Sequence, residues 1–246
     1  KNKFLKPIKD NDRDSESIFQ YKVQFADIGN VNLNDIYLTK QVKEELNRFI
    51  YCINNFSNLN MPLRYLLSGI PGTGKTKIIK AIANQCKGKA TFLFSHGGDN
   101  RINMLFKFAS LFNPCVICID DIDFLVESRE SLRSSSLSDF LQHMDGFVSK
   151  NLFVLATTND KMLVDYAAGR PGRFDMILDI NNISKENYMD LIKQSCSDDN
   201  ILEIFSEEII SLLHSKHVTG SFIVNLVKQI KIKLDMQKNN QLEYPI

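Results

Sequence analysis

Residues 68–85 read SGIPGTGKTKIIKAIANQ, and within them Gly69, Gly74, Lys75 and Thr76 satisfy the pattern G-x-x-x-x-G-K-[ST]. The run before it, RYLLSG (64–69), is apolar and short, as a strand is. The run after it, KTKIIKAIANQC, spaces its apolar residues as a helix does. A strand, a glycine-rich loop and a helix in that order commit the chain to an α/β body. The glycines have a chemical reason: without Cβ atoms, successive backbone N–H groups converge on one point. At a helix N-terminus such a nest holds phosphate. Pro71, Gly72, Thr73, Gly74, Lys75, Thr76 and Lys77 are therefore the candidate nucleotide-binding residues, with Lys75 reaching the β- and γ-phosphates and the Thr76 hydroxyl ligating Mg²⁺.

The rest of the chain repeats the alternation. ATFLFS (90–95), PCVICID (114–120), LFVLATT (152–158) and DMILDI (175–180) read as further strands, separated by helical patterns at INMLFKFASLF and SSLSDFLQHMDGF. Strands that are apolar on both faces and separated by helices predict a five-stranded parallel sheet covered on both sides, a P-loop NTPase architecture. After residue 181 only amphipathic helices follow: SKENYMDLIKQSC, SEEIISLLHSK and SFIVNLVKQIKIKL, two of them opened by Ser and then acids. The expected organisation is a polar tail or linker at 1–23, an α/β domain at 24–180 and a small all-α lid at 181–246. In the strand CVICID and the residues after it, Asp120, Asp121 and Asp123 cluster at a carboxyl end, where open α/β sheets place their ligands. Asp120 is expected to hold Mg²⁺ or its water, Asp121 to orient or deprotonate the attacking water, and Asp123 and Asp139 to cap helices or face solvent.

Composition excludes several classes. The chain of 246 residues is 43% hydrophobic and 24% charged with a formal net charge of +1, so no strong field draws it to nucleic acid or lipid. No apolar run approaches the roughly 20 residues that span a bilayer. The start, KNKFLKPIKDNDRDSES, is polar and has no secretory pattern, and the lack of a first Met suits a fragment of a longer protein. Five cysteines without framework spacing predict reduced thiols and a cytoplasmic setting. Cys115 and Cys118, though spaced C-x-x-C, lie inside the apolar strand and read as small hydrophobes.

FADIGN, GIPGTGKT, CVICIDDID, HMDGF, LATTND and AAGRPGRFD occur in this order. Together they resemble the AAA+ ATPases, and among them the classical AAA clade, over about residues 25–235. The resemblance implies ATP and Mg²⁺ as cofactors and a homo-oligomeric ring, in this family usually a hexamer. It gives Asn159 the role of a sensor that helps place the lytic water. It makes Arg170 and Arg173 arginine fingers donated to a neighbouring subunit's nucleotide. Asp27, Ile28 and Gly29 match the segment that cups adenine, and Gly220 and Ser221 match a Gly-Ala pair opening a lid helix near the nucleotide. Asp145, Gly146 and Phe147 match a triplet for signalling between subunits, or serve as a helix C-cap with a buried Phe.

Two departures stand out. The acid pair is Asp120-Asp121 where the family usually has Asp-Glu, which withdraws the second carboxylate by about 1.5 Å. The stretch HGGDNR has no aromatic residue where unfoldases of the clade carry a pore loop, so threading of an unfolded chain is in doubt, and His96 is expected as a solvated loop residue or, alternatively, a substrate contact. ESRESLRSSS (127–136) occupies the place of a second pore loop or is plain disorder. The leading expectation is an ATP-driven remodeller of proteins or complexes. The alternative is an ATP-binding ring scaffold with little hydrolysis, and further off is a DNA-linked AAA+ protein, which the neutral charge disfavours. A metabolic kinase would have no use for RPGRFD.

Overall fold

Central strands must be apolar on both faces, and the fold is organised by the two that are. The computed structural model describes residues 3–7, 23–96, 102–127, 140, 142, 144, 152–160 and 173–238. All residues of β5 (Cys115–Asp120) and β6 (Leu152–Thr158) are buried. Beside them lie β3 (Arg64–Ser68), β4 (Thr91–His96) and β7 (Met176–Asp179), giving the parallel order β4-β5-β6-β3-β7. All five strands fall where the apolar runs predict them.

Side chains alternate between the two faces. Leu66, Ile117, Ile119, Val154 and Ala156 share a core cluster with Phe106 and Phe140. On intervening positions Tyr65 and Phe153 meet Phe49, with ring centroids 4.9 and 5.6 Å away, and Phe56 also packs on Phe153. Phe49 belongs to α1 (Lys40–Asn54), which Thr39 opens by accepting from the Val42 N–H. The short α2 (Phe56–Leu59) comes next, the helix after the glycine loop is α3 (Lys75–Gln85), Phe106 lies in α4 (Ile102–Ala109), and α5 (Phe124–Glu127) follows β5.

The sheet is wider than expected. The segment read as a tail contains β1 (Lys3–Pro7), which pairs with β2 (Val23–Asp27) antiparallel and with β4 in parallel. The described sheet therefore has seven strands, in the order β2-β1-β4-β5-β6-β3-β7. KFLKP is short and mixed in polarity, so period alone does not reveal it; it pairs because β4 otherwise leaves its backbone edge open.

By internal contacts the chain divides into Lys1–Gly69 with Lys75–Asp179, and Ile70–Gly74 with Ile180–Ile246. The second unit is helical: α6 (Glu186–Ser195), α7 (Asp199–Ile204), α8 (Glu207–Ser215) and α9 (Gly220–Lys238). Its core includes Tyr188, Ile192, Ile201, Phe205, Ile210, Ile223 and Val227. The buried Tyr188 hydroxyl donates to the Val218 carbonyl at 2.7 Å. Ser206 caps α8 as its sequence predicts, while α6 begins without a side-chain cap, Ser184 accepting from the Asn187 amide instead. Helix α7 is too short to show a period in sequence and was not expected.

The five cysteines are free and buried. Burial pushes the Cys86 and Cys115 thiols up to about 12 and Cys118 well above its ordinary value, so these three are poor nucleophiles. Among the described residues no helix is long and apolar enough to cross a membrane.

Candidate active site

The parallel register brings the strand ends together. Ser68 pairs with Thr158, His96 with Asp120, and Ile119 with Ala156, so the carboxyl ends of β3, β4, β5 and β6 face one crevice. The glycine loop leaves β3 there and α3 begins with Lys75 and Thr76.

Lys75 is only 6% exposed, and its Nζ donates to the Gly69 carbonyl and to Asn159 Oδ1, both at 2.7 Å. Burial lowers its pKa from the ordinary lysine value, and the carboxylates of Asp121, Asp120 and Asp123 pull it back. Asn159 in turn donates from Nδ2 to Asp121 Oδ1 at 2.9 Å. Lys75, Asn159 and Asp121 thus form one chain of hydrogen bonds, from the ammonium through the Asn amide to one carboxylate oxygen. Asp120 is buried; its Oδ2 accepts from the Thr76 hydroxyl at 2.8 Å and its Oδ1 from the Thr157 hydroxyl at 2.7 Å.

A profile of the family described as "ATPase family associated with various cellular activities (AAA)" matches residues 65–182, the segment that contains this whole network. The chain is a classical AAA+ ATPase module. Similar proteins include the ATP-dependent zinc metalloprotease YME1 homolog of Schistosoma mansoni, 30% identical over 89% of this chain and 36% of that protein. The FtsH zinc metalloprotease of Helicobacter pylori (strain ATCC 700392 / 26695) is 29% identical over 89% of this chain and 38% of its own length. The proteasome-activating nucleotidase of Methanococcus maripaludis is 31% identical over 77% of this chain and 50% of its own length. The chain therefore spans half or less of each of these relatives.

An AAA+ module hydrolyses ATP with Mg²⁺, and its residues here suit both. Thr76 and Asp120 offer hard oxygen donors 2.8 Å apart, and Mg²⁺ takes only one or two protein oxygens beside phosphates and water. Among the described residues no set of three or more His, Cys, Asp or Glu is grouped to hold a metal without such help. These two residues would hold the ion, which when bound neutralises charge on the phosphate oxygens.

The glycine loop fits its role at Gly72, whose φ of +86° is one L side chains rarely adopt. A Cβ built there would lie 2.2 Å from Ser221 Oγ and 2.7 Å from Thr219 Oγ1, and the Ser221 N–H donates to the Gly72 carbonyl at 3.3 Å. Gly72→Ala is expected to cost about 1–2 kcal/mol from the left-handed backbone alone, with two hydroxyls displaced besides. A thermal melt and an ATP titration check both consequences.

Other expected residues have these places. Asp27 accepts from the Gly29 N–H at 2.9 Å, Ile28 is buried, and Gly29 has a φ of +67°. Pro71 and Lys77 are exposed, Thr73 donates to the Ile70 carbonyl, and Gly220 opens α9. Arg173 is only 3% exposed, so presenting it to a neighbour requires it to leave that burial. Arg170, Asp139 and Asp145 to Phe147 lie outside the described residues.

Two expectations are corrected. Asp123, half-buried just before the helical turn Phe124–Glu127, is engaged across the sheet: it accepts from the Thr158 hydroxyl and, at 2.8 Å, from the Asn159 N–H, bracing the Asn159 loop. His96 is not a loop residue but the last of β4; its Nε2 lies 3.5 Å from Asp121 Oδ2, and its ring sits 5.1 Å from Phe124. Thr157 was missed altogether, although it holds both Asp120 and the Asp121 N–H. The available signal was a pair of strand-end threonines in LATTND beside a strand ending in acids.

Proposed function

We propose that this module assembles into a homo-oligomeric ring, a hexamer by analogy with its family, and uses ATP to remodel protein substrates or complexes. The observation that carries the ATP-driven part is the unbroken chain from Lys75 through Asn159 to Asp121. It ties the residue that grips phosphate to the residue that would activate water, so occupancy of one bears on the position of the other. The relatives' names, two ATP-dependent proteases and a proteasome-activating nucleotidase, point to proteins as what the motor works on.

In this reading Asp120 and Thr76 hold Mg²⁺ and residues 71–77 hold the phosphates. Asp27, Ile28 and Gly29 cup the base, and Gly220 and Ser221 open the lid helix. Asp121 accepts the proton of the attacking water while Asn159 keeps both aligned. Arg170 and Arg173 act on the nucleotide of the adjoining subunit, where a guanidinium neutralises developing charge. Arg173 reaches it only if assembly draws it out of its burial.

A second reading, a ring scaffold with slow turnover, is favoured by Asp121 itself. Its backbone is left-handed at φ +54°, and its short carboxylate is already engaged by Asn159 and faced by His96. Light scattering on a chain that binds but does not turn over ATP tests assembly. The proposal expects a mass several times 28.2 kDa with ATP present. A monomer under every nucleotide condition contradicts both readings.

A further inference from the structure

The helix that grips phosphate also holds the segment proposed to cup the base, and one side chain makes the link. Asn84, on the last turn of α3, donates from Nδ2 to the Val31 carbonyl at 2.8 Å and to the Gly29 carbonyl at 3.1 Å. These two contacts cross 53 and 55 residues of sequence. They fix the path of the backbone just after β2, which Asp27 also restrains through the Gly29 N–H. Leu33 is buried in the short 3-10 turn Leu33–Asp35 that follows, so the segment is anchored at its far end too. Beside Gly29 there is room: a Cβ built there meets nothing within 4 Å.

From this geometry we infer that Asn84 is a positioning residue for nucleobase selection, holding the base-reading backbone of residues 28–31 in register with the phosphate grip at the other end of α3. The inference rests on the reading of Asp27 to Gly29 as the base cup. Backbone recognition of a base depends on where each N–H and C=O points, because adenine offers a donor at its 6-amino group and an acceptor at N1 where guanine offers the reverse. Two carbonyls bound by one amide cannot rotate toward the ligand, so the acceptors and donors left for the base are set by Asn84. A site that reads hydrogen bonds discriminates strongly only while its groups stay in place. Neither end of α3 needs to touch the base for this to work; the helix acts as a ruler between the triphosphate and the ring.

The test compares Mg²⁺-loaded ATP, GTP and inorganic tripolyphosphate, which has no base, by calorimetric titration of the wild type, Asn84→Leu and Asn84→Asp. Leu removes the donor at similar size, and Asp sets an acceptor against two carbonyls. Both variants are expected to bind ATP about tenfold more weakly, the worth of one to two hydrogen bonds. Their preference for ATP over GTP should narrow, with tripolyphosphate affinity unchanged within about twofold. Circular dichroism melts confirm that the variants tested are folded. If ATP and tripolyphosphate weaken in parallel, or if ATP affinity and preference both survive, the inference is overturned. If the wild type itself binds tripolyphosphate as tightly as ATP, the base-cup reading fails, and this inference falls with it; the wild-type arm alone tells the two failures apart.

Discussion

Asp121→Asn is expected to slow phosphate release by about 10²–10⁴, the usual worth of a positioned general base, while ATP binding changes by no more than about twofold. Asn is nearly the same size, so Asn159 Nδ2 still meets an oxygen and the strand end keeps its shape. What is lost is the capacity to take a proton. The same residue yields a second, opposite expectation. Asp121→Glu restores the methylene that the family usually has and should raise turnover, because the carboxylate then extends by about 1.5 Å. His96 Nε2, 3.5 Å from Oδ2, would then meet a different part of the side chain. Phosphate release measured on assembled protein checks both substitutions. A turnover in Asp121→Asn equal to the wild type would remove Asp121 from the reaction. A turnover in Asp121→Glu no higher than the wild type would show that chain length is not what limits the rate.

Lys75→Ala carries the largest expected effect on binding: about 10²–10³-fold weaker ATP, within the 2–5 kcal/mol that truncating one member of a buried charge pair costs. The residue is buried and held by Gly69 and Asn159, so its ammonium is fixed in place by the protein's own acceptors. Removing it leaves the Gly69 carbonyl and Asn159 Oδ1 each without this donor, and an unsatisfied buried acceptor costs about 1–3 kcal/mol. Burial of the charge disfavours the folded state and is relieved at the same time. The net change in melting temperature should therefore be small compared with the change in affinity, and a melt beside the titration separates them. Turnover should fall with binding, because Asn159 loses the partner that aligns it toward Asp121.

Much of this site is legible in the chain because its chemistry is local. Gly69 to Thr76 announce a phosphate loop through backbone freedom that nothing else there would need, and CVICID, five buried apolar residues and then Asp120, runs straight into Asp121. The central parallel strands β5 and β6 are legible for the same reason: double-sided burial leaves a run of apolar residues that no surface element shows. What sequence hides is register. Nothing in SHGG or CIDD says that His96 and Asp120 are strand neighbours, yet that pairing is what brings His96 to Asp121. Asp123 and Thr158 meet across 35 residues for a similar reason. Asn84 looks like one more polar residue on a helix, and only the fold shows the two carbonyls it holds. β1 escapes notice because it is chosen by the open backbone of β4 next to it, not by its own apolar pattern. Arg173 is a charged residue in a polar turn by sequence, and its burial follows from tertiary packing alone.

We propose that Lys75, Thr76 and Asp120 belong to one Mg²⁺–ATP site that depends on Lys75. This is tested most directly by titrating folded protein with ATP in the presence of Mg²⁺, once with the wild type and once with Lys75→Ala. The account predicts a saturable signal of one nucleotide per chain in the wild type, lost in the variant and weakened when Mg²⁺ is chelated. Saturation of equal strength in both proteins, or no saturation with either ATP or ADP in the wild type, would contradict it.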